Sequence, residues 1–283
     1  MRLNQTLRHF VGFNRSSRMN TTRLDHLPVE LFHHLFSYFS AHEILYSFIH
    51  ITSYIDSIIN SYTNYRIQFK AISRTDFDLV CRHIVPDQVI ALTLSDDEDT
   101  PGLVGLFLDR FELQYFTRLR ALRLIDIGPE YWMTIIIQMT TLNYLRSFIY
   151  QLPDREKSWM RHQSPAEVTQ LDRSMFNIYA PMLPQLYQLK LTHGNFLNSI
   201  SFPYLRHLML EQSTIRLIKH IASVAPQLQT LDTQLATGAS YSELIPSMPL
   251  LNHLILRIFG KHFPSKTSLT SAIFRRRSSN ECI

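Results

Sequence analysis

The sequence predicts an α+β fold: a three-helix unit near the N-terminus, followed by an irregular α/β solenoid of short strands and return segments. Two observations predict it. Between residues 25 and 62, apolar residues recur at helical spacing in three blocks separated by capping or breaking residues. From residue 89 onward, a short apolar template recurs, and three of its six intervals are 23 residues.

Composition bounds the rest. The chain has 283 residues, of which 45% are hydrophobic and 18% charged, as in a folded globular protein of one or two domains. With only 7 glycines, Gly-rich phosphate loops are nearly excluded. Cys81 and Cys282 are the only cysteines, which gives no disulfide framework and no cysteine-based zinc site. That usage suits a reducing compartment, the cytoplasm or the nucleus. No run approaches the roughly 18 consecutive apolar residues of a membrane span, so no membrane partner is expected. Three N-x-[ST] triplets, at Asn4, Asn14 and Asn20, lack a secretory signal before them and read as chance matches.

The net charge of +5 divides unevenly. Residues 1–20 carry +4 and residues 260–283 carry +4, which leaves −3 for residues 21–259. The basic excess therefore sits in the tails. This argues against a nucleic-acid partner, which would call for a basic patch on a folded face.

Residues 1–20 read as a basic flexible extension with a transit-peptide-like look. Met19 offers a second possible start. The first helix begins at Leu27-Pro28-Val29-Glu30. Pro28 suits the first helical position and Glu30 the positive end of the dipole. Leu31, Phe32, Leu35, Phe36 and Phe39 then form one broad apolar face. Ser40-Ala41-His42-Glu43 is a capping box that opens a second helix, with Ile44, Leu45, Phe48 and Ile49 on its apolar side. A third helix carries Tyr54, Ile55, Ile58, Ile59 and Tyr62. Three short helices this rich in Phe, Leu and Ile hold more apolar surface than they can bury among themselves. The remainder calls for a partner, and an amphipathic helical face is a common means of recognition.

The stretch Leu27-Pro28-x-Glu30-Leu31-x-x-x-Leu35-Phe36-Ser37-Tyr38-Phe39, followed by Ser40-Ala41-His42-Glu43-Ile44-Leu45, resembles an F-box. The unit is placed at residues 21–68. The resemblance implies docking on the Skp adaptor and, through it, a cullin. It also implies that Leu27, Pro28, Glu30, Leu31, Phe36, Tyr38, Phe39, Ile44, Leu45 and Phe48 contact Skp or shape the surface that does.

The second unit is expected over residues 69–259. Its template, apolar-x-x-Leu-x-Leu, starts at Val89, Leu119, Leu186, Leu205 and Leu251, with partial copies at Leu142 and Leu228. The interval from 142 to 186 is near two periods, so a degenerate or inserted repeat is expected in 150–180. The Leu-x-Leu pair puts two side chains on one face of a short strand. A return segment follows, as at Ile215, Ile218, Ala222 and Ala225, which stand at helical spacing. The array resembles irregular leucine-rich repeats; the usual Asn or Cys positions hold Asp97, Ile127, Gly194, Ser213 and Phe259. In such arrays the residues flanking the Leu pair line the open strand face. Here they are Arg123, Ile125, Lys190, Thr192, Met209, Glu211, Ile255 and Arg257, and the resemblance implies that they hold a protein substrate. Residues 260–283 lose the template and read as a basic flexible tail or the cut end of a longer array.

Catalytic chemistry is not legible. No H-E-x-x-H, G-x-S-x-G or P-loop occurs, and Cys81-x-His83 has no further spaced ligands. The run Asp96-Asp97-Glu98-Asp99 lacks the spacing of a calcium loop and reads as a solvated turn. No metal, cofactor or enzymatic activity is expected. The expected function is a substrate-recognition adaptor of a Skp–cullin–F-box ubiquitin ligase. The alternatives are a repeat scaffold without a ligase role, and a nucleic-acid binder acting through its basic tails.

Overall fold

The structure is a computed structural model that describes residues 24–151, 180–193, 197, 200–235, 248–258 and 270–275. The tail before residue 24 and the expected insertion at 152–179 lie outside the described residues.

Three helices come first: α1 (Val29–Phe36), α2 (Ala41–Phe48) and α3 (Ser53–Ser61). Pro28 stands at the N-cap of α1, one residue before its expected place. The Ser40–Glu43 box is present at α2. The Glu43 carboxylate accepts from the Ser40 backbone N–H at 2.8 Å and from its hydroxyl at 2.6 Å. Thr52 caps α3 by accepting from the N–H of Ile55 at 3.2 Å. His50 enters the left-handed region, φ 62°, in the tight turn between α2 and α3.

Strands and helices then alternate: β1 (Tyr65–Phe69), α4 (Arg74–His83), β2 (Val89–Ser95), α5 (Leu103–Leu108), β3 (Ala121–Ile125), α6 (Pro129–Met139) and β4 (Ser147–Gln151). After them stand β5 (Gln188–His193), β6 (His207–Ser213), α7 (Ile215–Val224), β7 (Thr230–Leu235), β8 (His253–Ile258) and β9 (Thr270–Arg275). All nine strands join one sheet whose spatial order follows the chain order. The pairs from β1 to β8 are parallel, and β9 runs antiparallel to β8.

The register explains the core. Leu92, Leu122, Phe148, Leu189, Leu208 and Leu231 pair in one row across the sheet. Each is at most 1% exposed. Because side chains alternate along a strand, the residues between these leucines face the other side, and that side is open. Arg123, Gln188, His207 and His253 are exposed on it.

The expected fold class needs correction. The chain is α/β, built on a single sheet, and is not an α+β pairing of a separate three-helix unit with a following solenoid. One continuous hydrophobic core runs from Phe32 to Leu256. α2 packs on α4 and β1, and the Tyr65 hydroxyl donates to the Ile59 carbonyl at 2.7 Å. The helices are thereby tied into the first edge of the sheet. The physical reason is the excess apolar surface noted above. Ile44 and Leu45 are buried on α2, which packs on α4 and β1 instead of closing a separate three-helix unit.

β4 bonds directly to β5 across the stretch where an insertion or degenerate repeat is expected. One smaller expectation also changes. Residues 270–275, expected within a flexible tail, form β9.

Candidate protein-binding surfaces

α1 is two-sided. Phe32 and Phe36 point into the core, each 1% exposed, with the Phe36 ring 5.3 Å from Phe48 and 5.4 Å from Tyr62. Leu31, Leu35 and Tyr38 follow one another at spacings of four and three, the stripe of a helix surface. They are 52%, 38% and 73% exposed. Tyr46 of α2 is 58% exposed. Pro28, Glu30 and His34 are exposed beside the stripe, and the Tyr38 and His34 rings meet at 5.2 Å.

The start of α1 is pinned from α3. The Tyr54 hydroxyl donates to the Leu27 carbonyl at 2.9 Å, and the Thr52 hydroxyl donates to Asp25 Oδ1 at 2.8 Å. The stripe is therefore held on a supported helix. Glu43 is held below the ordinary glutamate range, chiefly by the hydrogen bonds from the Ser40 hydroxyl and backbone.

The ten residues implied for Skp contact fall into two groups. Pro28, Glu30, Leu31 and Tyr38 are exposed, with Leu27 and Phe39 half-buried. Phe36, Ile44, Leu45 and Phe48 are core residues and can only support the surface from beneath. Leu35 and Tyr46 belong to the exposed set, and the sequence reading did not name them as contacts. The spacing from Leu31 to Leu35 to Tyr38 is the signal that identifies Leu35.

The second surface is the open face of the sheet. Arg123, Ile149, Lys190, Met209, Asp232 and Ile255 form one register row. The row gathers Arg123, Lys190, Met209 and Ile255 from the expected set. Arg257 sits two residues past Ile255 and clamps Asp232 with both guanidinium nitrogens, the Nη2–Oδ2 contact being 3.0 Å. The Asp232 side chain is 7% exposed and the Arg257 side chain 36%. Glu211 is half-buried on β6. Ile125 departs from the expectation: it is 2% exposed and offers nothing to a partner. The side chain of Thr192 lies outside the described residues.

The acidic run after β2 is more built than a solvated turn. The Thr100 hydroxyl donates to Asp97 Oδ1 at 2.9 Å, and Lys70 lies 3.8 Å from Asp97. Burial pushes the Asp96 carboxyl above its ordinary range. Only Glu98 and Asp99 of the run are exposed. Among the described residues, no three His, Cys, Asp or Glu side chains converge as metal ligands. Among the same residues, no helix is long and apolar enough to cross a membrane. No protein-family model and no curated protein matches the chain.

Proposed function

We infer that the chain is a protein-binding adaptor that serves a Skp–cullin–F-box ubiquitin ligase. The helices α1 and α2 dock on the Skp adaptor, and the open sheet face takes the target protein. The observation that carries this reading is the stripe of Leu31, Leu35 and Tyr38. Leu31 and Leu35 on α1, and Tyr38 just past its end, stay exposed while Phe32 and Phe36 of the same helix are buried. An apolar stripe of this kind, rimmed by Pro28, Glu30 and His34, suits packing against a partner's helices. The stripe coincides with the Leu27–Phe39 stretch that resembles an F-box.

The mechanism is proximity. The chain holds a target near the ubiquitin-charged enzyme and raises the effective concentration of its lysines, without chemistry of its own. Cytoplasm and nucleus are the compartments in which it would act.

A second reading has its own support. Phe36, Ile44, Leu45 and Phe48 are all consumed by the core, and α2 also covers the β1 end of the sheet. On that reading the chain is a scaffold with no ligase role. Co-purification with recombinant Skp separates the two. Wild type should retain Skp, and Leu31→Asp/Leu35→Asp should lose it while melting at nearly the same temperature. Wild type that fails to retain Skp would leave the scaffold.

A further inference from the structure

We propose that the residues just ahead of β3, β4, β5 and β6, along one end of the sheet's strands, form a strip that binds an extended acidic peptide. This names the target class for the adaptor reading and rests on it.

The ladder of backbone hydrogen bonds sets four residues side by side. The N–H of Arg146 donates to the Arg120 carbonyl at 2.8 Å, that of Tyr187 to Arg146 at 2.8 Å, and that of Arg206 to Tyr187 at 2.9 Å. Neighbouring strands lie about 4.8 Å apart, so Arg120 and Arg206 stand about 14 Å apart across three steps. Arg120 and Arg206 are exposed and Arg146 is half-buried. The guanidinium carbons of Arg146 and Arg206 lie 6.0 Å and 5.5 Å from the Tyr187 ring centre, one on each neighbouring strand. Tyr187 therefore restrains both cations while remaining 40% exposed itself. Tyr204, 51% exposed, extends the aromatic surface, with its ring 6.2 Å from Tyr187.

Among the described residues, no carboxylate pairs with Arg120, Arg146 or Arg206. Three residues further along the strands, the open-face row adds Arg123 and Lys190, and the carboxylate in that row, Asp232, is already held by Arg257. The −3 sum over residues 21–259 conceals this segregation, because the cations come from strands far apart in the chain.

The geometry favours a peptide. An extended chain advances about 3.4 Å per residue, so acids at positions i and i+4 are about 14 Å apart and meet Arg120 and Arg206 together. Between them the Tyr187 ring, 40% exposed, gives the intervening residues an apolar surface.

The test is fluorescence anisotropy on the full chain, with three probes: a twelve-residue peptide with Glu at alternate positions and Leu or Ser between, its Gln counterpart, and a single-stranded oligothymidine. The Glu peptide should bind at least tenfold more tightly than the Gln peptide. Arg120→Ser/Arg206→Ser should cut that affinity at least tenfold and leave Skp retention at the wild-type level. Equal binding of the Gln peptide, undiminished binding by the double variant, or tighter binding of the oligothymidine with the same loss in the variant would each overturn the proposal. Wild type that fails to retain Skp yet gives the full set of peptide results would remove the ligase role and leave the acidic-peptide strip standing.

Discussion

Truncating Leu31 and Leu35 together should separate affinity from stability, and Phe36→Ala should do the reverse. Leu31 is 52% exposed and Leu35 38% exposed, so a docked partner can still remove about half of each side chain from water. Fully burying a leucine is favourable by roughly 1.5–3 kcal/mol, so covering these remainders contributes about 1 kcal/mol at each residue. Leu31→Ala/Leu35→Ala should therefore weaken Skp binding by about 2 kcal/mol, or roughly thirtyfold. Phe36 is 1% exposed and meets Phe32, Phe48 and Tyr62, so its loss leaves a void in the core. Phe36→Ala should cost about 3–5 kcal/mol of folding stability. Titration calorimetry against purified Skp measures the first effect and urea denaturation the second. The reasoning is refuted if Leu31→Ala/Leu35→Ala binds Skp as wild type does, or if it destabilises the fold as much as Phe36→Ala.

Three further outcomes can be checked. Arg257→Ala should destabilise more than Asp232→Ala in urea denaturation. The first strands a carboxylate that is 7% exposed, whereas the second leaves a guanidinium that can turn to water. Ser40→Ala should cost about 1 kcal/mol near neutral pH. Glu43 has a lowered folded pKa, so its contribution is complete above the ordinary glutamate range and fades as pH falls through the lowered value. The gap between wild type and Ser40→Ala should narrow over that acidic window in pH-dependent melts. Cys81 lines a small apolar cavity with Ile67, Phe69, Val80 and Phe107, and burial pushes its thiol from 9.0 up to about 11. Its native reaction with a thiol reagent at pH 8 should be about a hundredfold slower than in urea, as followed by peptide-resolved mass spectrometry.

Much of the fold is legible because one face of the sheet must be apolar. Each template copy from Val89 to Leu251 lies on or just before a strand, since Leu-x-Leu alternation is what a half-buried strand demands. β1 is not legible by that rule, because Tyr65, Ile67 and Phe69 fill its inward positions without a leucine. The three helices are legible from spacing and capping, but their attachment is not. Whether Ile44 and Leu45 close on one another or on β1 depends on distant segments, and periodicity carries no such information.

The two surfaces divide along the same line. The exposed side of α1 follows from helical geometry, once Leu31, Leu35 and Tyr38 are counted as a stripe. The strip formed by Arg120, Arg146, Tyr187 and Arg206 cannot be seen locally, since it exists only when strands far apart in the chain stand side by side. Ile125 shows the opposite failure: alternation places it on the open face, and the folded chain covers it.

The unbroken agreement between sheet order and chain order bears on how the molecule comes together during synthesis. Each strand from β2 to β8 adds to a neighbour that has already left the ribosome, and none must wedge between two others already in place. Accretion can thus proceed from the β1 side as translation advances, without threading or rearrangement. The longest pause falls between β4 and β5, where dozens of residues must emerge before the growing edge is covered again.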